Sequence, residues 1–122
     1  MRIAHCQFET WCGQFEHNLK RVEEGLARAE REGAEIVSFP ECFLTGYPDT
    51  EDAARRDAFA IDAPQMAKVL DLTSRFDPTL VVGFNELRGA DLYNTALIAH
   101  RGHLLGTYSK CMGPSWPEGH SG

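Results

Sequence analysis

Between residues 17 and 40 the hydrophobic period of the chain changes from helical to extended, and few folds accommodate that change. Leu19, Val22, Leu26 and Ala29 recur at helical spacing and line one face, while Glu24 and Arg28 are placed to pair on the other. Gly33 ends the helix. The next run, Ala34-Glu35-Ile36-Val37-Ser38-Phe39, carries β-branched and aromatic side chains and stops at Pro40. A buried strand stops in this way where proline removes a backbone donor. Ile3-Ala4-His5-Cys6-Gln7-Phe8 is a second strand-like run, ahead of the helix. Strand, helix and strand therefore follow one another within about forty residues, which predicts a sheet with crossover helices.

Pro48-Asp49-Thr50 opens a polar, alanine-containing stretch to about residue 59, read as a short surface helix. Asp62-Ala63-Pro64 supplies a second helix start, and Met66, Val69, Leu70 and Thr73 give that helix an apolar face that closes before Asp77-Pro78. Leu80-Val81-Val82-Gly83-Phe84 reads as a buried strand. After a loop at Arg88-Gly89-Ala90-Asp91, residues 93–99 and 104–108 flank His100-Arg101-Gly102-His103, a turn-like spacer that predicts a β-hairpin. Residues 113–122 are rich in glycine and proline and are read as an irregular tail after a unit spanning 1–112. The order of elements gives an α/β or α+β architecture, a mixed sheet with helices on one face.

A formal charge of −6 and a pI near 5.3 argue against a nucleic-acid partner, because phosphate binding needs a basic face. No long apolar stretch predicts a membrane span and no apolar leader follows Met1, so the expected location is cytoplasmic. Cys6, Cys12, Cys42 and Cys111 are widely spaced and are expected to be free thiols. A zinc site built from His5, Cys6, Cys12 and His17 lacks any recognised ligand spacing, so these are read as neutral side chains.

Two positions could carry chemistry. Glu41, in Phe39-Pro40-Glu41-Cys42-Phe43-Leu44-Thr45-Gly46-Tyr47-Pro48, follows a buried strand at the end where α/β sheets place reactive groups. Desolvation there would raise its pKa and suit it to general base work, the plainer alternative being a carboxylate that caps the next turn. Lys110, in Tyr108-Ser109-Lys110, closes the last predicted strand and could hold a positive charge beside a developing oxyanion. An ordinary exposed lysine is the alternative.

Taken together, Phe39-Pro40-Glu41 with Thr45-Gly46-Tyr47-Pro48, and Leu92-Tyr93-Asn94-Thr95-Ala96 followed by Gly102 and Tyr108-Ser109-Lys110, resemble the glutamate and lysine motifs of the nitrilase superfamily of carbon-nitrogen hydrolases. Gln7, Gly13, Asn18-Leu19 and Gly33-Ala34 fit the same pattern, so the resemblance covers residues 1–112. It implies the N-terminal half of a four-layer α-β-β-α sandwich. It also implies an amidase or carbamoyl-amide hydrolase mechanism, in which a cysteine thiol attacks the carbon of a small amide, carbamoyl or nitrile substrate. Glu41 would be the base and proton shuttle and Lys110 the cation that stabilises the intermediate. Thiol, carboxylate and ammonium complete that mechanism, so no metal or organic cofactor is implied.

The family's nucleophilic cysteine lies well beyond the lysine, and the chain is expected to stop before it and to be inactive alone. Cys42 and Cys111 adjoin the two candidates, but in extended backbone their side chains would point away from those neighbours, and both are read as incidental thiols. Glu118 is the one candidate for the family's second glutamate, in surroundings that depart from the family pattern. Glu86 is read as a structural polar group. Glu41 and Lys110 are expected to meet within about 3–7 Å at the same end of adjacent strands. A sheet face left uncovered would drive homo-oligomerisation or association. Two other readings are a non-catalytic interaction module or partner subunit that keeps the scaffold, and an unrelated α/β ligand-binding domain.

Overall fold

A computed structural model describes residues 1–6 and 9–111. Gln7, Glu118 and the tail lie outside the described residues. In chain order the elements are β1 (Ile3–His5), α1 (Phe15–Arg31), β2 (Ile36–Ser38), α2 (Glu51–Asp57), α3 (Pro64–Thr73), β3 (Thr79–Arg88), β4 (Asp91–His100) and β5 (His103–Cys111). The strands form one sheet in sequence order, with β1, β2 and β3 parallel and β3, β4 and β5 antiparallel. Parallel neighbours require crossovers, which α1 and the α2–α3 segment supply.

The period of α1 buries Val22, Leu26 and Ala29 against the sheet. Its ion pairs differ from the expected Glu24–Arg28 contact. Arg21 holds Glu24 at 3.0 Å, and Arg28 reaches Glu32 at 3.5 Å. All four are exposed and lie one turn apart, so fractions of a kcal/mol choose among such pairings. In α3, Leu72 joins Met66, Val69 and Thr73 in the interior, while Leu70 is only partly buried. Both helices share one core with Val37, Leu80, Val82, Phe84, Leu97 and Ala99, the residues whose alternation points them to one face of the sheet. The shorter α2 packs separately, with Ala54 and Ala58 against Leu87 and Leu92. Thr50 caps it by accepting from the Ala53 N–H at 3.1 Å.

β3 and β4 are each longer than the hydrophobic pattern indicated. The expected loop at Arg88-Gly89-Ala90-Asp91 is shorter: Asn85 to Arg88 are strand residues paired with Asn94 to Asp91, leaving only Gly89-Ala90 as the turn. Polarity disguised them. Glu86 is 3% exposed and fully partnered, accepting from Arg88 through both oxygens at 3.0 Å and from Thr95 Oγ1 at 2.7 Å. The second hairpin turn is Arg101-Gly102, both at positive φ (53° and 86°), the pair of left-handed residues that a two-residue hairpin requires.

On the other face, Val81, Gly83 and Asn85 alternate out from β3, with Asn94, Ala96 and Ile98 beside them on β4 and Tyr108 and Lys110 on β5. Neither α1 nor α3 covers that face. Tyr108 is 76% exposed there.

Candidate active site

The first candidate is carried by a turn that leaves the plane of the sheet. β2 runs on to Phe39, whose N–H donates to Val81 O at 2.9 Å, and the chain returns to β3 at Leu44, whose N–H donates to Gly83 O at 3.0 Å. Residues 40–43 thus rise over Gly83. A Cβ there would stand 2.6 Å from Cys42 N and 2.8 Å from Glu41 Cα, so only glycine leaves room for the turn. The N–H groups of Thr45 and Gly46 both donate to Cys42 O, at 3.1 and 2.7 Å. Closing so tightly puts Cys42 at φ 57° and Gly46 at φ 84°.

Side chains from three elements lock this turn. Cys42 Sγ donates to Asn85 Oδ1 at 3.1 Å, and Thr45 Oγ1 accepts from the Asn85 N–H at 3.1 Å. From α1 the buried Asn18 donates to Leu44 O at 3.2 Å and to Trp11 O at 2.9 Å, while accepting from Trp11 N. Asn18, Thr45 and Asn85 have no reactivity of their own, so sequence reasoning met Asn18 and Thr45 only as motif positions and gave Asn85 no role. Polar residues inside otherwise apolar runs were the available signal.

Lys110 Nζ stands 3.9 Å from Glu41 Oε2. The expected proximity is there, but adjacent strands do not produce it: β3 and β4 lie between β2 and β5. Glu41 reaches Lys110 because its turn projects over the sheet, and Lys110 points up from the same face. Nor is the expected burial present. The side chains of Glu41 and Lys110 are 60% and 67% exposed. Beside the pair is an opening of about 190 Å³ whose walls include Phe39, Gly83, Asn94 and Tyr108.

Cys42 is not in the extended backbone expected for it; its left-handed conformation turns the thiol inward, where it is 3% exposed. Burial pushes that thiol up to about 12, with the charge of Glu41 adding to the rise and Lys110 opposing it. It is a protonated, inert group at neutral pH. Cys111 is an exposed free thiol at the end of β5. His17, one of the residues considered for a zinc site, is stacked on Trp11 with ring centroids 4.0 Å apart. Among the described residues no group of three or more His, Cys, Asp or Glu is placed to hold a metal ion, and no helix is long and apolar enough to cross a membrane. A larger groove between α1 and α3, about 740 Å³, is spanned by Lys68–Glu16 and Arg75–Glu23 ion pairs and contains neither candidate.

A mixed sheet with α1 and α3 on one face, and a glutamate and a lysine meeting on the other, define an α/β protein with a two-charge site beside an opening. Residues 2–118 match the carbon-nitrogen hydrolase family, and the chain belongs to it. A glutamine-dependent NAD(+) synthetase of Thermotoga maritima is 32% identical over 116 residues, covering 95% of this chain and 20% of that protein. An arylacetonitrilase of Aspergillus niger is 32% identical over 121 residues, covering 90% of this chain and 37% of that protein. Among solved structures, the glutamine-dependent NAD+ synthetase of Acinetobacter baumannii superposes with a TM-score of 0.72 at 27% identity, over 88% of this chain and 20% of that one. An amidase from Nesterenkonia sp. gives 0.72 at 24% identity, over 90% and 42%. The chain therefore spans between about a fifth and two fifths of the length of these relatives.

Proposed function

We propose that this chain carries the glutamate and lysine of a carbon-nitrogen hydrolase active site of the amidase or carbamoyl-amide type, which a cysteine other than the four of this chain completes. The observation that carries this reading is the 3.9 Å approach of Lys110 Nζ to Glu41 Oε2 beside an opening on the sheet face. Glu41 takes the thiol proton as sulfur attacks the substrate carbon and returns it to the departing ammonia or amine. Lys110 holds the negative charge that develops on oxygen or nitrogen. Water then cleaves the thioester to the acid, with Glu41 again accepting a proton. The names of the relatives specify glutamine, a nitrile and an amide, and these substrates share a carbon–nitrogen bond to be broken.

The chain alone is expected to hydrolyse nothing, because the thiol beside the pair, Cys42, stays protonated. A chimera in which residues 1–111 replace the matching segment of the Nesterenkonia amidase tests the reading. Hydrolysis of small amides by the chimera, lost at least a hundredfold in Glu41→Gln and in Lys110→Met, is the expected result. Full activity in either variant would overturn that residue's role. The second reading, a scaffold that joins a partner polypeptide without catalysis, is favoured by the uncovered sheet face and by the exposure of both charges. An inactive but folded chimera would select it.

A further inference from the structure

The Leu92-Tyr93-Asn94-Thr95-Ala96 run helped to mark the family, yet nothing so far gives Asn94 work to do. In β4 it stands directly between two residues of the site, in register with Asn85 on one side and Lys110 on the other. All three side chains point to the open face, and Asn94 lines the opening together with Glu41 and Lys110. Its amide is half-buried and makes no side-chain hydrogen bond among the described residues. Behind it is a second unpaired group. Asn85 is 1% exposed and its Oδ1 is taken by the Cys42 thiol, but its Nδ2 has no hydrogen-bond partner among the described residues. A buried donor without a partner is destabilising, and such a group calls for an explanation.

We infer that Asn94 is a substrate-contact residue of this site, donating from Nδ2 to the same carbonyl oxygen that Lys110 faces once rotation of the two amides brings Asn85 Nδ2 onto Asn94 Oδ1, a bond this structure does not make. Directly opposed residues in an antiparallel ladder have Cβ atoms about 4.5–5.5 Å apart, within the reach of two amide side chains. Asn85 then has an acceptor, and both N–H groups of Asn94 Nδ2 face the opening. A neutral donor and a cation converging on one oxygen hold it more firmly than either alone, and more so as negative charge grows there. Asn94 Nδ2 supplies direction, which a lysine on a flexible stem lacks. Asn85 acts through Asn94 and is a positioning residue. This assignment rests on the reading of Glu41 and Lys110 given above.

The test uses the whole 122-residue chain, labelled with nitrogen-15. Acetamide, a small neutral carbonyl compound, is titrated while the side-chain NH2 pair of Asn94 and the backbone signals around Lys110 are followed. Saturable shifts at both places are expected. Asn94→Ala and Asn94→Ser should each weaken acetamide binding roughly fivefold, the value of one neutral hydrogen bond. Their spectra should keep the dispersion of the parent, and having two variants guards against one that fails to fold. Acetamide binding that moves the Lys110 signals but not the Asn94 amide, or that is undiminished in both variants, would overturn the role of Asn94 and leave the Glu41–Lys110 reading standing. Binding that needs Asn94 but is unchanged in Lys110→Met would overturn the lysine's role instead. No shift at either residue would remove both.

Discussion

Gly83 lies directly beneath Glu41: a Cβ on the glycine would be 2.8 Å from Glu41 Cα and 2.6 Å from Cys42 N. Backbone, unlike a flexible side chain, cannot move aside without dragging its hydrogen bonds along, and here Leu44 N–H is bonded to Gly83 O itself. Gly83→Ala should therefore lift the turn off the sheet and separate Glu41 from Lys110. The expected loss of stability is about 1–3 kcal/mol, as for other overpacked sites. A urea denaturation midpoint within error of the parent's would show that the turn is free to move.

The buried Cys42 thiol has a pH signature. Its folded pKa is raised from 9.0 to about 12, so the protonated form is the one the fold stabilises. That contribution is complete below about pH 9 and disappears as the pH rises toward about 12, because the unfolded chain loses its proton first. Stability measured from pH 8 to 11 should fall, and fall less in Cys42→Ser, once the difference between the two proteins at pH 8 is subtracted. In pulse alkylation at pH 8, Cys42 should be modified last of the four cysteines, with the exposed Cys12 and Cys111 ahead of it. Early labelling of Cys42 would contradict its burial.

Glu86 anchors the far end of the β3–β4 hairpin. Its carboxylate is 3% exposed and bound by Arg88 and Thr95, and Ser109 extends the network through both of them. Glu86→Ala leaves Thr95 and part of the Arg88 guanidinium without their acceptor. A loss of about 3 kcal/mol is expected, the low end for breaking a buried ion pair, because Arg88 is partly in water. Thermal or urea unfolding measures it. A change below about 0.5 kcal/mol would mean that the network is replaced by water at no cost.

The uncovered sheet face should make the chain self-associate. Burying apolar surface is favourable by about 25 cal/mol per Å², and Tyr108, 76% exposed, is the largest side chain on that face. Sedimentation velocity over a hundredfold concentration range should show concentration-dependent mass, reduced in Tyr108→Lys. A monomer at every concentration would count against this face as an interface.

Much of the fold could be read locally. The spacing of Val22, Leu26 and Ala29, the stop at Gly33, the apolar runs through Val37 and Leu80-Val81-Val82 and the turn at Arg101-Gly102 each express a choice made over a few residues. Helical and extended periods are local properties, so the sequence alone determined the order of elements, the mixed α/β class and the motifs that tie the chain to its family. Local pattern also stopped short, as at Asn85 and Glu86, where polar side chains hid the continuation of the strand past Phe84. The partners of Asn85 come from the Cys42 turn, and Thr95, one of the partners of Glu86, comes from the next strand. Only the tertiary structure decided that Glu41 crosses two strands to meet Lys110, that Cys42 is turned inward, and that Asn94 faces the opening between Asn85 and Lys110. The reason is physical: those relations depend on strand register and on the absence of one Cβ at Gly83, and both become defined only when distant segments are packed together.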